Sequence, residues 1–193
     1  AKFAAAGKRV RKKDLGMIFV GFAVLMYGMD AMSDAVAPLK DVPEFANLFV
    51  MFKNPILGMI VGALVTAIIQ SSSASIGILQ ALCATGSISY AAALPIIMGQ
   101  NIGTCITAMM SSVGTTKNAR RAAVVHLLFN LIGTIIFMTG FYAIHAVVNF
   151  AFLENAANET GIAVIHTAFN VVATLILLPL AGVSEKLSLM NVK

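Results

Sequence analysis

Charge is what this chain has least of. From Asn54 to Thr116 there is no Asp, Glu, Lys or Arg, and charged residues fill only 11% of the 193 positions. Soluble domains carry about 25% charged residues, so a water-covered globular surface is excluded. Tryptophan is absent and cysteine occurs twice. Cys83 and Cys105 stand in apolar surroundings with no CxxC spacing and no histidine beside them. That excludes a disulfide framework and a thiolate metal site, and leaves two small packing residues. No Gly-x-Ser-x-Gly elbow is present, which argues against a serine hydrolase. No cleavable signal peptide is recognisable. The opening, Ala1 to Gly7, reads as the tail of an earlier helix, so a piece of a longer protein is expected.

What fills the chain instead is apolar: 59% of residues are hydrophobic. At roughly 20 apolar residues per spanning helix, there is room for about four to six membrane segments. The net charge of +5 is concentrated in Lys8, Arg9, Arg11, Lys12 and Lys13, and in Lys117, Arg120 and Arg121. Both clusters abut apolar helices, so they read as cytoplasmic anchors at the lipid surface and not as a nucleic-acid patch. The eleven methionines read as adaptable packing.

The pattern divides into a basic cytoplasmic segment at 1–14, a transmembrane unit at 15–182 and a cytoplasmic tail at 183–193. Residues 15–38 form a first span, and 40–53 mix charge with phenylalanines as an interfacial helix would. Pro55 opens a new helix. The stretches 55–69 and 74–85 are each too short to cross roughly 30 Å of hydrocarbon at about 1.5 Å per residue. If 55–85 is a re-entrant hairpin turning at mid-depth, both basic clusters and both termini fall inside and the acidic Glu154–Glu159 loop outside. If it spans, the second basic cluster falls outside. The positive-inside rule favours the hairpin. The expected fold is an all-α membrane protein of about four transmembrane helices (near 15–38, 87–111, 122–148 and 161–181) plus one re-entrant helical hairpin.

Two uncharged polar clusters interrupt the apolar run. Unpaired polar groups are expensive in hydrocarbon, so such clusters line a cavity or break a helix. Gln70-Ser71-Ser72-Ser73 cannot place three consecutive hydroxyls on one helical face, since successive residues turn by about 100°. A break there would expose helix-start N–H groups to an anion. A single Ser could instead bond back to a carbonyl four residues earlier. In Gln100-Asn101-Ile102-Gly103-Thr104, Gly99 and Gly103 permit a second break. Unwound carbonyls with Gln100, Asn101 and Thr104 would suit Na+. The plainer reading is a kinked helix whose amides satisfy its own backbone. Gly58-xxx-Gly62 and Gly99-xxx-Gly103 allow close helix approach. No cation stands in this region, so a bound anion needs helix dipoles and a co-bound cation. Protons are the poorer co-ion, because no carboxylate is buried there.

The last two spans echo each other: His126-x-x-Phe129-Asn130-x-x-x-Thr134 recurs as His166-x-x-Phe169-Asn170-x-x-x-Thr174. Spacing of i, i+4 and i+8 lays each set along one face. In antiparallel helices, Asn130 and Asn170 would lie near the midplane. His126 would fall near the inner surface and His166 near the outer one, neither of them beside the serines.

At these residues the chain resembles the type II sodium–phosphate cotransporter family, in its bacterial form. The resemblance rests on Thr66-Ala67-Ile68-Ile69-Gln70-Ser71-Ser72-Ser73-Ala74, on Gly99-Gln100-Asn101-Ile102-Gly103-Thr104, and on Arg120-Arg121-Ala122-Ala123 with His126 and Phe129-Asn130. The segment 15–39 with Gly28-Met29-Asp30 and Met32-Ser33-Asp34 also fits. The resemblance implies sodium-driven phosphate transport by alternating access, with two inverted repeats each giving one QSSS hairpin to a central site. Gln70, Ser71, Ser72 and Ser73 would then contact phosphate and sodium, with Asn101 and Thr104 lining the same site; Thr66, Gln100, Asn130 and Asn170 complete the set of candidate binding residues. Sodium would draw on Ser72, Ser73, Asn101 and Thr104. This chain holds a single QSSS, closest to the second repeat, and has Cys105 where the family often has Thr. It is therefore expected to be one inverted-repeat half, partnered by a missing half or a second copy. The partners implied are inorganic phosphate, Na+ and membrane lipid, with no nucleic acid and no cofactor beyond the coupling ion. A bacterial inner membrane is the expected location. The competing readings are a non-transporting membrane interaction module and an intramembrane serine hydrolase.

Overall fold

The computed structural model of the protein describes residues 2–36, 38 and 54–191. The interfacial helix expected over 40–53 lies outside the described residues. Seven α-helices order the described chain: α1 Lys2–Val36, α2 Pro55–Ile69, α3 Ser72–Ala84, α4 Tyr90–Ser111, α5 Lys117–Val148, α6 Glu159–Leu177 and α7 Ala181–Asn191. Four of them contain stretches long and apolar enough to cross a membrane: Lys12–Met32, Tyr90–Ser111, Lys117–Val148 and Glu159–Leu180. The all-α membrane fold is therefore present.

Two helices run across the expected boundaries. The basic segment is continuous with the first span, because nothing between Lys2 and Val36 breaks α1. Residues 181–191 form α7, entered through a 3-10 turn at Leu178–Leu180, and α7 packs on α5.

Local chemistry explains where the helices stop. Asn54 caps α2, its Oδ1 accepting from the amides of Ile56 (3.0 Å) and Leu57 (3.3 Å), with Pro55 in the first turn. Proline suits that position, having no N–H to leave unpaired. Thr116 caps α5 and Asn158 caps α6 in the same way. Gly114, at φ +78°, takes the left-handed conformation in the turn between α4 and α5. Asn149, at φ 52°, ends α5. Asparagine tolerates that conformation better than most residues.

The centre of the molecule is α4, whose residues Ala92 to Asn101 are all buried. Gly62 of α2 lies against the carbonyl of Ile96, Gly99 of α4 against the carbonyl of Met59, and Gly103 against Ala63 and Thr66. The small residues bring the two backbones into direct contact. Met59 meets Gly99 while Ala63 and Thr66 meet Gly103, so α2 and α4 run the same way. The chain then reverses at Gln70–Ser71, and α3 returns past Gln100 towards Glu159.

The loop after α3 is pinned to the loop after α5. Ala157 N donates to Ile88 O (2.7 Å) and Tyr90 N to Asn155 O (3.1 Å). Both therefore sit at one end of the bundle. The unbroken 32 residues of α5 (about 48 Å at about 1.5 Å per residue) put the basic Lys117–Arg121 turn at the other end. The α2–α3 hairpin opens towards the acidic end. Its tip reaches the C-terminal end of α4: the Gln70 amide meets the sulfur of Met110, next to the last residue of α4, at 3.7 Å. The 15 residues of α2, roughly 22 Å long, run beside the C-terminal part of α4 and carry the turn to that level.

The core continues through Ile97, Met98, Ile162 and Phe169, all fully buried. Phe169 meets Phe137 edge to face with ring centroids 5.4 Å apart. Leu15 through Tyr27 of α1 leave their large apolar side chains exposed, as does much of α5 and α6. In water such a surface would drive aggregation. In lipid it is the expected outer coat of an integral membrane protein.

Candidate functional site

The break between α2 and α3 is sharp. Gln70 adopts φ 56°, ψ 23°, and its N–H still closes the last turn on Thr66 O at 2.8 Å. Ser71 is extended (φ −140°, ψ 110°) and caps α3, its Oγ accepting from Ala74 N at 3.3 Å. The amides of Ser72 and Ser73 fall in the first turn, where a helix offers no internal acceptor. A glutamine at positive φ is uncommon, and strain at such positions is often tied to function.

The three serines separate as their 100° spacing requires. Ser71 is the cap, Ser73 is exposed, and Ser72 lines a cleft of about 250 Å3. The other walls of that cleft are Asn101 and Thr104 of α4, His126, Phe129 and Asn130 of α5, and His166 and Asn170 of α6. Five of the residues singled out in the sequence meet here: Ser72, Asn101, Thr104, Asn130 and Asn170. Gln70, Ser71, Ser73, Thr66 and Gln100 do not line this space.

Thr66 and Gln100 do structural work beside it. Thr66 Oγ1 and Ser75 Oγ are 2.7 Å apart, and Gln100 Nε2 donates to both Ser75 Oγ (2.9 Å) and Ser75 O (3.0 Å). This buried chain of hydrogen bonds ties α2, α3 and α4 together. Gln100 Oε1 has no partner among the described residues. Ser75 escaped the sequence reading, although it stands four residues after Ser71, one helical turn along α3.

No second break occurs. Gln100 to Thr104 lie within the continuous α4, so the expected unwound carbonyls are absent from that segment. The glycines that would have permitted unwinding are taken up by contact with α2, and the polar side chains bond back to their own helix. Asn101 Nδ2 donates to Ile97 O (3.0 Å) and Thr104 Oγ1 to Gln100 O (2.9 Å). Asn130 Nδ2 donates to His126 O (3.0 Å) and Asn170 Nδ2 to His166 O (2.8 Å). Each asparagine thus gives an N–H inward and keeps its Oδ1 for other partners. Asn101 Oδ1 lies 3.2 Å from His166 Nε2.

The histidines are the main correction. Counting from helix ends placed them at opposite surfaces, away from the serines, yet both line the cleft that holds Ser72. Each stands one turn, about 6 Å, from an asparagine of the same cleft, and an imidazole reaches across that distance. The repeated His-x-x-Phe-Asn spacing was the available signal. The two stripes diverge at their far ends: Thr134 is buried with no partner among the described residues, whereas Thr174 is exposed. Among the described residues no group of three or more His, Cys, Asp or Glu could hold a metal ion.

Fold and site together define an all-helical integral membrane protein with an uncharged polar cleft lined by four of its helices. Comparison with known proteins narrows the class. The chain belongs to the Na+/Pi-cotransporter family, whose model matches residues 42–156. It is 34% identical over 122 residues to "Uncharacterized protein YqeW" of Bacillus subtilis, covering 63% of this chain and 40% of that protein. Sodium-dependent phosphate transport protein 2A of Mus musculus is 32% identical over 145 residues, 71% of this chain and 22% of that protein. Putative inorganic phosphate export protein YjbB of Escherichia coli is 29% identical over 137 residues, 70% of this chain and 25% of that protein. The chain thus spans less than half the length of these relatives. No solved structure matches it.

Proposed function

We propose that this chain supplies one QSSS half-site of a sodium-coupled phosphate symporter working by alternating access. One observation carries the reading: α3 begins at Ser72 on the wall of an uncharged polar cleft. A helix start offers free amides and a partial positive charge of roughly half an elementary charge, which attracts an oxyanion. The Ser72 hydroxyl adds a donor, and Gln70, Ser71 and Ser73 edge the same turn.

The opposite walls have the complementary chemistry. Asn101, Asn130 and Asn170 have each committed an N–H to a backbone carbonyl, and Thr104 has committed its proton. Oxygens remain, and oxygens suit a hard cation such as Na+. Sodium held by Ser72, Asn101 and Thr104 would offset the anion in a site lined by no Lys or Arg, while Ser73, expected from the sequence as a further ligand, stands outside this cleft. The hairpin is read as re-entrant from the outer face, its arms too short to span singly. A second QSSS repeat, from the rest of a longer protein or from another copy, would complete the site in an inverted arrangement. We place it in a bacterial plasma membrane with its basic ends inside.

The test is uptake of labelled phosphate into vesicles containing the full-length protein, with an inward sodium gradient against a choline control. Sodium-dependent uptake is expected, and Ser72→Ala should weaken phosphate affinity by about tenfold or more, the loss of one hydrogen bond to a charged group. Uptake indifferent to sodium and to Ser72 would sink the proposal. A hydrolase reading draws on the two histidines sharing the cleft with Ser72. The Nε2 of His166, however, faces an asparagine oxygen. Covalent labelling of Ser72 by a fluorophosphonate would revive it.

A further inference from the structure

We infer that His126 and His166 form the protonatable charge of the cleft, so that an oxyanion entering it draws a proton onto the pair. This rests on the transport reading above and goes beyond it by naming a third charge partner for the anion. The cleft receives Ser72 from α3, Asn101 and Thr104 from α4, His126, Phe129 and Asn130 from α5, and His166 and Asn170 from α6. No Asp, Glu, Lys or Arg is among these, and the two imidazoles are its titratable groups.

On α4 the nearest ionisable side chain is Cys105, whose thiol donates to the carbonyls of Asn101 (3.5 Å) and His126 (3.6 Å). On α5 the fixed charges nearest His126 in sequence are Arg120 and Arg121, outside the cleft lining. On α6 it is Glu159, whose carbonyl accepts from Gln80 Nε2. On α3 it is the buried Cys83, outside the cleft lining, and no Asp, Glu, Lys or Arg stands on that helix. The sequence of α7, which packs on α5, carries Glu185 and Lys186. No fixed charge therefore lines the space the anion would enter.

Histidine is the side chain whose unperturbed titration lies between about pH 5 and 8. An opposite charge within about 4–6 Å favours its protonated form. Anion and proton then bind with reciprocal coupling, each strengthening the other by the same factor. His166 already has a partner able to accept a proton donated from Nε2, because Asn101 Oδ1 stands 3.2 Å away with the Asn101 amide N–H turned to Ile97 O. Its Nδ1 is then the position that gains a proton when the ring becomes cationic. A hydroxyl or amide in either histidine position could not supply a net charge.

His145 is the built-in control. It is the remaining histidine of the chain, stands outside the cleft, and accepts from Phe150 N through Nδ1 at 3.0 Å. The experiment is a pH titration of the imidazole nitrogens by NMR in the full-length protein in lipid nanodiscs, with saturating phosphate and with chloride of equal ionic strength. Single His126→Gln and His166→Gln variants assign the signals, and phosphorus line broadening reports phosphate binding separately. The expected result is a rise of about one pH unit in the midpoint of at least one cleft ring, equivalent to about tenfold tighter proton binding, with His145 unmoved. A merely structural pair, holding α5 and α6 against α4, would not respond to the anion. Unchanged cleft midpoints with phosphate still bound would overturn the inference and leave the transport reading standing. No phosphate binding at all would overturn both. The wild-type titration decides the matter even where a glutamine variant fails to fold.

Discussion

Adding one methyl group at Gly99 should loosen the whole hairpin. A Cβ built there lies against the Met59 carbonyl oxygen, and within 2.8 Å of Met59 C and 2.9 Å of Ala63 N. All three are backbone atoms and cannot rotate away, so α2 and α4 must separate. Overpacking of this kind costs about 1–3 kcal/mol, and rigid neighbours put Gly99 at the upper end. Alanine returns about 0.8–1 kcal/mol through helix propensity. The net loss is about 2 kcal/mol, near 30-fold in the folded-to-unfolded ratio. Separation also stretches the Thr66–Ser75–Gln100 hydrogen bonds and moves Ser72 relative to Asn101, so phosphate binding at the proposed site should weaken as well. Gly140 is the matched control, because a Cβ there meets nothing within 4 Å on the exposed side of α5. Gly140→Ala should be neutral or slightly stabilising. Denaturation in detergent, followed by helical signal, compares the two directly. Equal stabilities for Gly99→Ala and Gly140→Ala would refute the claim that backbone contact holds α2 on α4.

Ser75→Ala should destabilise by about 1–3 kcal/mol, because it strands the buried Thr66 hydroxyl and a Gln100 N–H; thermal unfolding reads this, and no loss would mean water replaces Ser75. Asn54→Ala removes the cap of α2 and should cost about 1 kcal/mol, seen as faster amide exchange at Ile56 and Leu57 with the rest of α2 unchanged. Cys83 and Cys105 are 2% and 0% exposed, so maleimide should label them far more slowly in the native protein than after denaturation; rapid native labelling would contradict their packing.

Much of the fold was legible because membrane insertion leaves coarse marks. Long apolar runs, basic and acidic turns, and Asn54-Pro55 are local features, and each became a span, an end or a cap. The hairpin's arms were readable from length alone. The level of its tip along α4 was not, since it depends on how α2 slides along α4, which the Gly62, Gly99 and Gly103 contacts decide. Those same glycines misled at Gln100–Thr104: glycine permits either unwinding or close approach, and composition cannot say which. The histidines were misplaced because depth counted from helix ends ignores the reach of side chains converging on a common cleft.

The amino-acid sequence alone determined that this protein lives in a bilayer and that the chain turns at Gln70–Ser71. Solvation by lipid and successive hydroxyls on a 100° rotation are properties of neighbouring residues. Which serine faces the cleft, which polar groups serve only to bind α2, α3 and α4 together, and that two histidines 40 positions apart share one space were decided by tertiary packing. Those outcomes rest on contacts between helices remote in the chain, and such contacts have no local signature.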